Sequence, residues 1–467
     1  MAFARIVGKK MKKKCSVCQG VATSSKSELT KAVLLAPDNP AIERVTEKCI
    51  NCGNCKTICE QLVGISYDDK QAREAICIHC GQCILNCPVG ALIPKYHYKK
   101  VLDYLHDTTK IVTISIAPAV KVALGDAFQM APGTFVEGKM ITALRKAGFD
   151  YVFDVSFGAD MTIMEEANEL VTRLDQKKTM FTSCCPAWVE YLEIYHPKLC
   201  SHLATTKSPI SIQGALLNSY FLDMYNIKRE DVIHVVVVPC TAKKYEIKRP
   251  ELDGMDIAIT TSELAMLLKE SNVDLTTLAT SQFDSLLGHG SGAGILFGGS
   301  GGVMEAVLRS AYYFLNQQDP PETLLNLQPS STYANVKEAT VDLGQKNLQV
   351  AVVYGMPNVE PLLQQLEQES LPYDFIEVMN CPLGCVGGGG QPLGSLKEQM
   401  IVNEKRRDGL QEIDQSMTIR NSYENSMVKD VYRSYLGYPG SLKAKKLLHT
   451  HYEDKSSILG EVPLNIN

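Results

Sequence analysis

The sequence predicts an α/β protein whose main domain is preceded by a small, cysteine-dense α+β module. Two observations carry that prediction. Eight of the 16 cysteines fall within residues 41–95, and from Lys110 onward apolar β-branched runs alternate with helical patterns, the signature of α/β layering. At a typical ~150 residues per domain, 467 residues predict about three units. Hydrophobic residues at 45% and charged residues at 21% match a globular protein and exclude a disordered chain or a membrane bundle.

The elements follow in order. Residues 1–40 form an extension containing Cys15-x-x-Cys18, 41–95 the cysteine module, and 96–110 a charged connector rich in His and Tyr. The main domain covers 110–452, and 453–467 form a tail. Expected strands are IVTISIA at 111–117, YVFDVSF at 151–157, VIHVVVV at 232–238, IAIT at 257–260, LQVAVVY at 348–354 and FIEVM at 375–379. Helices are expected at 160–175, 262–271, 303–315 and 358–369. The aliphatic runs are strand-sized, far short of the roughly 18 residues of a membrane span.

A net charge of −5 offers no general footprint for nucleic acid. The one dense basic run, Lys9 to Lys14, reads as a solvated tail, with docking of an acidic electron carrier as its functional reading. The opening MAFARIVGKKMKKKC has neither an apolar export core nor a twin arginine, so a cytoplasmic protein is expected. In a reducing compartment the cysteines point to metal or redox chemistry rather than disulfides.

The module reads Cys49-x-x-Cys52-x-x-Cys55-x-x-x-Cys59, then Cys77-x-x-Cys80-x-x-Cys83-x-x-x-Cys87-Pro88. This is the bacterial two-cluster ferredoxin run, in which three thiolates wrap one 4Fe-4S cubane and the fourth ligates the other. One cluster is expected on Cys49, Cys52, Cys55 and Cys87, the second on Cys77, Cys80, Cys83 and Cys59. Zinc also accepts four thiolates, but usually from separated pairs. Cys15 and Cys18 lack two further ligands nearby and read as a pair with no essential ligand role.

Beyond residue 110, TSCCPAW (182–188), VPCTAKKYE (238–246) and EVMNCPLGCVGGGGQP (377–392) carry Cys185, Cys240, Cys381 and Cys385 on loops that lie far apart in sequence. Four convergent thiolates inside an α/β core suggest a buried iron-sulfur centre. Gly387 to Gly390 would let backbone pass close to a bulky inorganic group.

Together the three strings resemble the three signature motifs of the FeFe-hydrogenase catalytic domain, and the resemblance extends over 110–452. It implies two lobes with mixed sheets around a buried H-cluster, a 4Fe-4S cubane joined to a di-iron unit carrying carbonyl, cyanide and dithiolate ligands. Cys185, Cys240, Cys381 and Cys385 would hold the cubane, with Cys385 bridging to the di-iron unit. Lys243 matches a cyanide-binding lysine and Met379 the methionine that packs the di-iron unit. Phe297 matches a pocket wall, and Pro118 and Ser208 complete the expected cofactor contacts. The glycines around Phe297 do not form a dinucleotide fingerprint, because Gly292-x-Gly294-x-x-x-Gly298 has the wrong spacing.

The implied activity is reversible oxidation of dihydrogen to two protons and two electrons. Electrons would be exchanged with a ferredoxin-like carrier, and maturation proteins would load the di-iron unit. Cys184 matches the first proton carrier, and Glu166 and Glu169, on one helix face, match the relay glutamates; from the residues alone they read equally as a solvated face. Where the relay usually has serine this chain has Ala204, followed by Thr205 and Thr206. Ala187, Val238 and Ala119 also depart from the common pattern and resemble a divergent branch, group B. A hydrogen sensor or an iron-sulfur assembly scaffold on the same domain are the competing readings; retention of Cys184 and Cys385 speaks against the scaffold.

Overall fold

The computed structural model of the chain describes residues 31–65, 76–176, 178–252, 254–394 and 398–460. The basic run and the Cys15–Cys18 pair lie outside the described residues. β1 (Ile42–Arg44) and β2 (Leu92–Pro94) pair antiparallel. Between them two short helices, Asn54–Ile58 and Gln82–Leu85, carry Cys55 and Cys83. Gly53 and Gly81 precede these helices in left-handed conformation, at φ 78° and 74°, so the chain can reverse within each cysteine turn. Ala32 and Val33 are buried, and the Val33 N–H donates to Cys55 Sγ at 3.4 Å, so packing of the small unit begins before residue 41.

The expected connector 96–110 contains a helix, Tyr98–Leu105. Its aromatic and charged composition masks an apolar stripe at Tyr98, Val101, Leu102 and Leu105, which packs against the core of the main domain.

The main strands are β3 (Ile111–Ile116), β4 (Tyr151–Asp154), β5 (Met180–Phe181), β6 (Val232–Val238), β7 (Ile257–Thr260), β8 (Gln328–Pro329), β9 (Val336–Asp342), β10 (Asn347–Tyr354) and β11 (Phe375–Met379). They form two sheets. The order β4-β3-β6-β7 is parallel throughout, and its strands are almost wholly buried, which explains their unbroken β-branched runs. The second sheet, β5-β11-β10-β9-β8, is mixed: β5, β11 and β10 are parallel, while β9 and β8 add antiparallel.

The run 151–157 is not one strand. Asp154 ends β4, and its carboxylate accepts from the Ser156 N–H at 2.8 Å, an N-cap that converts the following residues into the helix Val155–Arg173. That helix, expected from 160, is buried on nearly every side through Leu170. The other expected helices are Thr261–Glu270, Gly302–Asn316 and Met356–Gln368. Residues 453–460, expected as tail, pack onto the helix Pro186–Tyr195; Lys455 Nζ lies 2.6 Å from Glu193. Among the described residues no helix is long and apolar enough to cross a membrane.

Candidate metal-cluster site

The cysteines lie on three loops at strand carboxyl ends, after β5, β6 and β11; β5 and β11 are neighbours in the mixed sheet and β6 lies inside the parallel one. After β5, the Thr182 N–H donates to Ile376 O at 3.0 Å, Thr182 Oγ1 accepts from the Val378 N–H at 3.2 Å and Trp188 Nε1 donates to Thr182 O at 3.0 Å. These bonds fix Cys185 at the start of the helix Pro186–Tyr195. Cys381 and Cys385 flank a turn through Leu383 and Gly384, at φ 59° and 89°. A Cβ on Gly384 would stand 2.5 Å from Ser300 N, and one on Gly388 would stand 2.3 Å from Pro239 O. Glycine is therefore what lets the Cys385 loop lie against the loop that carries Cys240.

Burial, then the charges of Cys185 and Cys240, push the Cys385 thiol up to about 12, and burial with the charge of Cys185 does the same to Cys240. Cys381 is raised well above its ordinary value by burial and by Cys240, Cys185, Cys80 and Cys385. The four thiols thus lie within electrostatic reach of one another. Backbone N–H groups of Asn380, Trp188 and Ala187 favour the thiolate of Cys185, and those of Ala242 and Lys243 favour the thiolate of Cys240. Clustered buried thiolates with N–H donors suit a cationic iron-sulfur group. The side chain of Asn380, beside Cys381, is buried with neither polar atom partnered by protein, which leaves hydrogen-bonding capacity at the site.

Beside the thiols lies an apolar cluster. Cys184, Phe297, Met379 and Ala204 belong to one buried cluster. Pro118 opens the short helix after β3, and the adjacent Ala119 packs with Val386 against Cys385. Lys243 Nζ donates to Cys184 O at 3.1 Å and pairs with Glu246 at 2.6 Å. Burial opposes its charge, but Glu246 outweighs that and holds the ammonium above its usual range. Glu246 also accepts from the hydroxyls of Ser208 and Ser211. The i, i+3 spacing of Lys243 and Glu246 on KKYE was a signal for this pair that the sequence reading passed over.

Glu166 is fully buried, and neither carboxylate oxygen has a hydrogen-bond partner in the protein. Burial, then the charges of Glu169 and Glu377, raise it well above the carboxylate range. Cys184 is raised by burial and next by Glu166, so the two are electrostatic neighbours. Glu169 accepts from the Thr205 N–H at 3.0 Å, from Thr206 Oγ1 at 3.2 Å and from Arg173. Ala204 is buried and contributes backbone alone: its N–H donates to Phe181 O at 2.8 Å and its carbonyl accepts from the Tyr452 hydroxyl at 2.6 Å. The reading of Glu166 as part of a solvated face is excluded by its burial.

A family model for the iron-only hydrogenase large subunit, C-terminal domain, matches residues 110–389, and one for the iron hydrogenase small subunit matches 401–455. The first covers more than half of the chain. The protein belongs to the iron-only hydrogenase family. Iron hydrogenase 1 of Clostridium pasteurianum is 38% identical over 87% of this chain and 75% of its own length. Cytosolic iron-sulfur assembly component 3 of Bos taurus is 30% identical over 83% of each. A solved FeFe-hydrogenase of Chlamydomonas reinhardtii superposes with a TM-score of 0.67 at 36% identity, over 76% of this chain and 98% of that one.

In this member of the iron-only hydrogenase family the small N-terminal unit abuts the thiol site. Cys49, Cys52, Cys55 and Cys87 line one cavity. Burial raises the Cys83 thiol, and next the charges of Cys80, Cys77, Cys59 and Cys55. Cys80 in turn feels Cys240. The junction is tight: a Cβ on Gly389 would stand 2.4 Å from Cys80 O and 2.5 Å from Gly81 Cα, and Thr241 Oγ1 donates to His79 O at 2.6 Å. Two residues had no sequence signal, Gln82, whose side chain reaches Cys381, and Glu377, whose carboxylate accepts from the N–H groups of Gly301 and Met304 at 2.6 and 2.8 Å.

Proposed function

We propose that this protein is a hydrogenase, oxidising dihydrogen reversibly to two protons and two electrons and exchanging electrons with a ferredoxin-like carrier in the cytoplasm. Two 4Fe-4S clusters in residues 41–95 connect the carrier to an H-cluster in the 110–452 domain. Cys185, Cys240, Cys381 and Cys385 would hold the cubane, with Cys385 the ligand nearest the di-iron unit, which maturation proteins would supply. When bound, the H-cluster provides the redox chemistry that splits and forms dihydrogen.

The chain's own residues supply the surroundings. Met379 and Phe297, with Pro118, wall the pocket and keep out water. Lys243, held charged by Glu246, presents an ammonium for an anionic ligand, and Ser208 steadies Glu246 from the other side. Cys184 carries a proton between the pocket and Glu166, which passes it to Glu169; each move spares a buried site a lone charge. Thr206, donating to Glu169, does the work that Ala204 cannot.

The observation that carries this reading is the buried acid Glu166 beside Cys184, leading away from four thiols toward Glu169: a scaffold that only holds iron needs no such line of acids. Infrared spectroscopy on matured protein tests it. Bands from metal-bound carbonyl and cyanide, with hydrogen evolution from a reduced dye, are the expected result. Cluster content without those bands would favour an assembly role instead, the reading supported by the 30% identical assembly component. Bands with only trace turnover would favour a sensor.

A further inference from the structure

We propose that Gln82 sets the reduction potential of the cubane held at Cys381, an inference that rests on the cluster assignment above. Gln82 is 2% exposed and begins the helix between Cys80 and Cys83. Its side chain leaves the small unit entirely: Nε2 donates to Cys381 Sγ at 3.2 Å and to Gly387 O at 2.9 Å. The backbone beneath it is fixed, since Gln82 O accepts from Asn86 Nδ2 at 2.9 Å and Gly81 lies against Gly389.

The donor matters because of what surrounds the sulfur. Cys381 is buried among Cys240, Cys185, Cys80 and Cys385, all of which disfavour negative charge on it. An N–H aimed at a ligand sulfur stabilises the more negative, reduced cluster and raises its potential. Gln82 sits in the same peptide run that supplies Cys80 and Cys83 to the neighbouring cluster. One side chain therefore biases the equilibrium of an electron shared between the two clusters toward the cubane, and joins their ligand shells through a single hydrogen bond.

The test is a redox titration, followed by electron paramagnetic resonance, of full-length protein reconstituted with iron and sulfide, comparing wild type with Gln82→Met and Gln82→Glu. Methionine keeps the volume and removes the N–H; glutamate keeps the shape and replaces the donor with oxygen. The expected result is a lower cubane potential in both, with the electron-sharing equilibrium moved about tenfold, 59 mV for one electron, at unchanged iron content. The potential of the cluster on Cys59, Cys77, Cys80 and Cys83 should move less. An unchanged cubane potential, or equal shifts in both clusters, overturns the proposal. Loss of the cubane in both variants also overturns it and makes Gln82 structural. Failure of the wild type to load iron at the Cys381 site would instead count against the cluster assignment itself.

Discussion

The hydroxyl of Thr206 donates to the Glu169 carboxylate at 3.2 Å. Ala204, two residues earlier and buried, has no side-chain group able to do so. Thr206→Val removes the hydroxyl and keeps the shape, and is expected to lower hydrogen evolution at least about tenfold while iron content stays constant. Full activity in Thr206→Val, measured with reduced dye, would mean that the hydroxyl carries no protons.

Cys184 is the second point on that line. Its backbone carbonyl is held by Lys243, so replacing only the thiol leaves the loop in place. Cys184→Ala should cut turnover roughly 10²-fold or more with unchanged iron content. Near-normal hydrogen evolution would refute its role as a proton carrier.

How much of this was legible in the sequence depends on the range over which each feature is determined. Cysteine spacing is local, so the eight cysteines of the small unit stand out from it as one ligand run. The β-branched-rich runs IVTISI and VIHVVVV likewise announced β3 and β6, because burial on both faces leaves no alternation to misread. The break at Asp154 had a local signal, the aspartate that caps the following helix through the Ser156 N–H, but the apolar run on either side of it reads as one strand. Lys121, fully buried, holds the same carboxylate at 2.8 Å and pairs with Glu137 at 2.8 Å. The short β5 was missed for another reason: two residues, Met180 and Phe181, become a strand only by pairing with β11. Gln82 is the extreme case, meeting Cys381 across 299 positions.

Glu377 makes stability depend on pH in a predictable direction. Burial, opposed by the N–H groups of Gly301 and Met304, raises its carboxyl to about 7, above the ordinary unfolded value of ~4.3. Between those values the native state holds a proton that the unfolded state has released. Glu377 therefore destabilises the fold progressively as pH rises through this window, and the cost is complete above about 7. Glu377→Gln lacks the titration but loses an acceptor for the helix Gly302–Asn316. Its stability relative to wild type should rise by roughly 2.5 kcal/mol between pH 5 and pH 8, at about 1.4 kcal/mol per pH unit until the folded carboxyl ionises. Thermal or denaturant unfolding of both proteins at the two pH values measures this, and a pH-independent difference would show that the carboxyl is ionised throughout.

The junction between the small unit and the main domain rests on backbone meeting backbone at Gly81 and Gly389. Alanine at 389 would put a methyl 2.4 Å from Cys80 O and 2.5 Å from Gly81 Cα, and backbone atoms cannot swing aside as a flexible side chain would. One of the two surfaces must retreat, which strains the Gln82 contact and separates Cys80 from Cys240. Gly389→Ala should cost about 1–3 kcal/mol of stability, as overpacking does. It should also slow hydrogen evolution driven by a protein carrier more than evolution driven by a small dye able to reach the catalytic domain directly. Unfolding curves and the ratio of the two activities check this. Unchanged stability and an unchanged ratio would show that the junction tolerates a gap, and that electrons do not depend on its closeness.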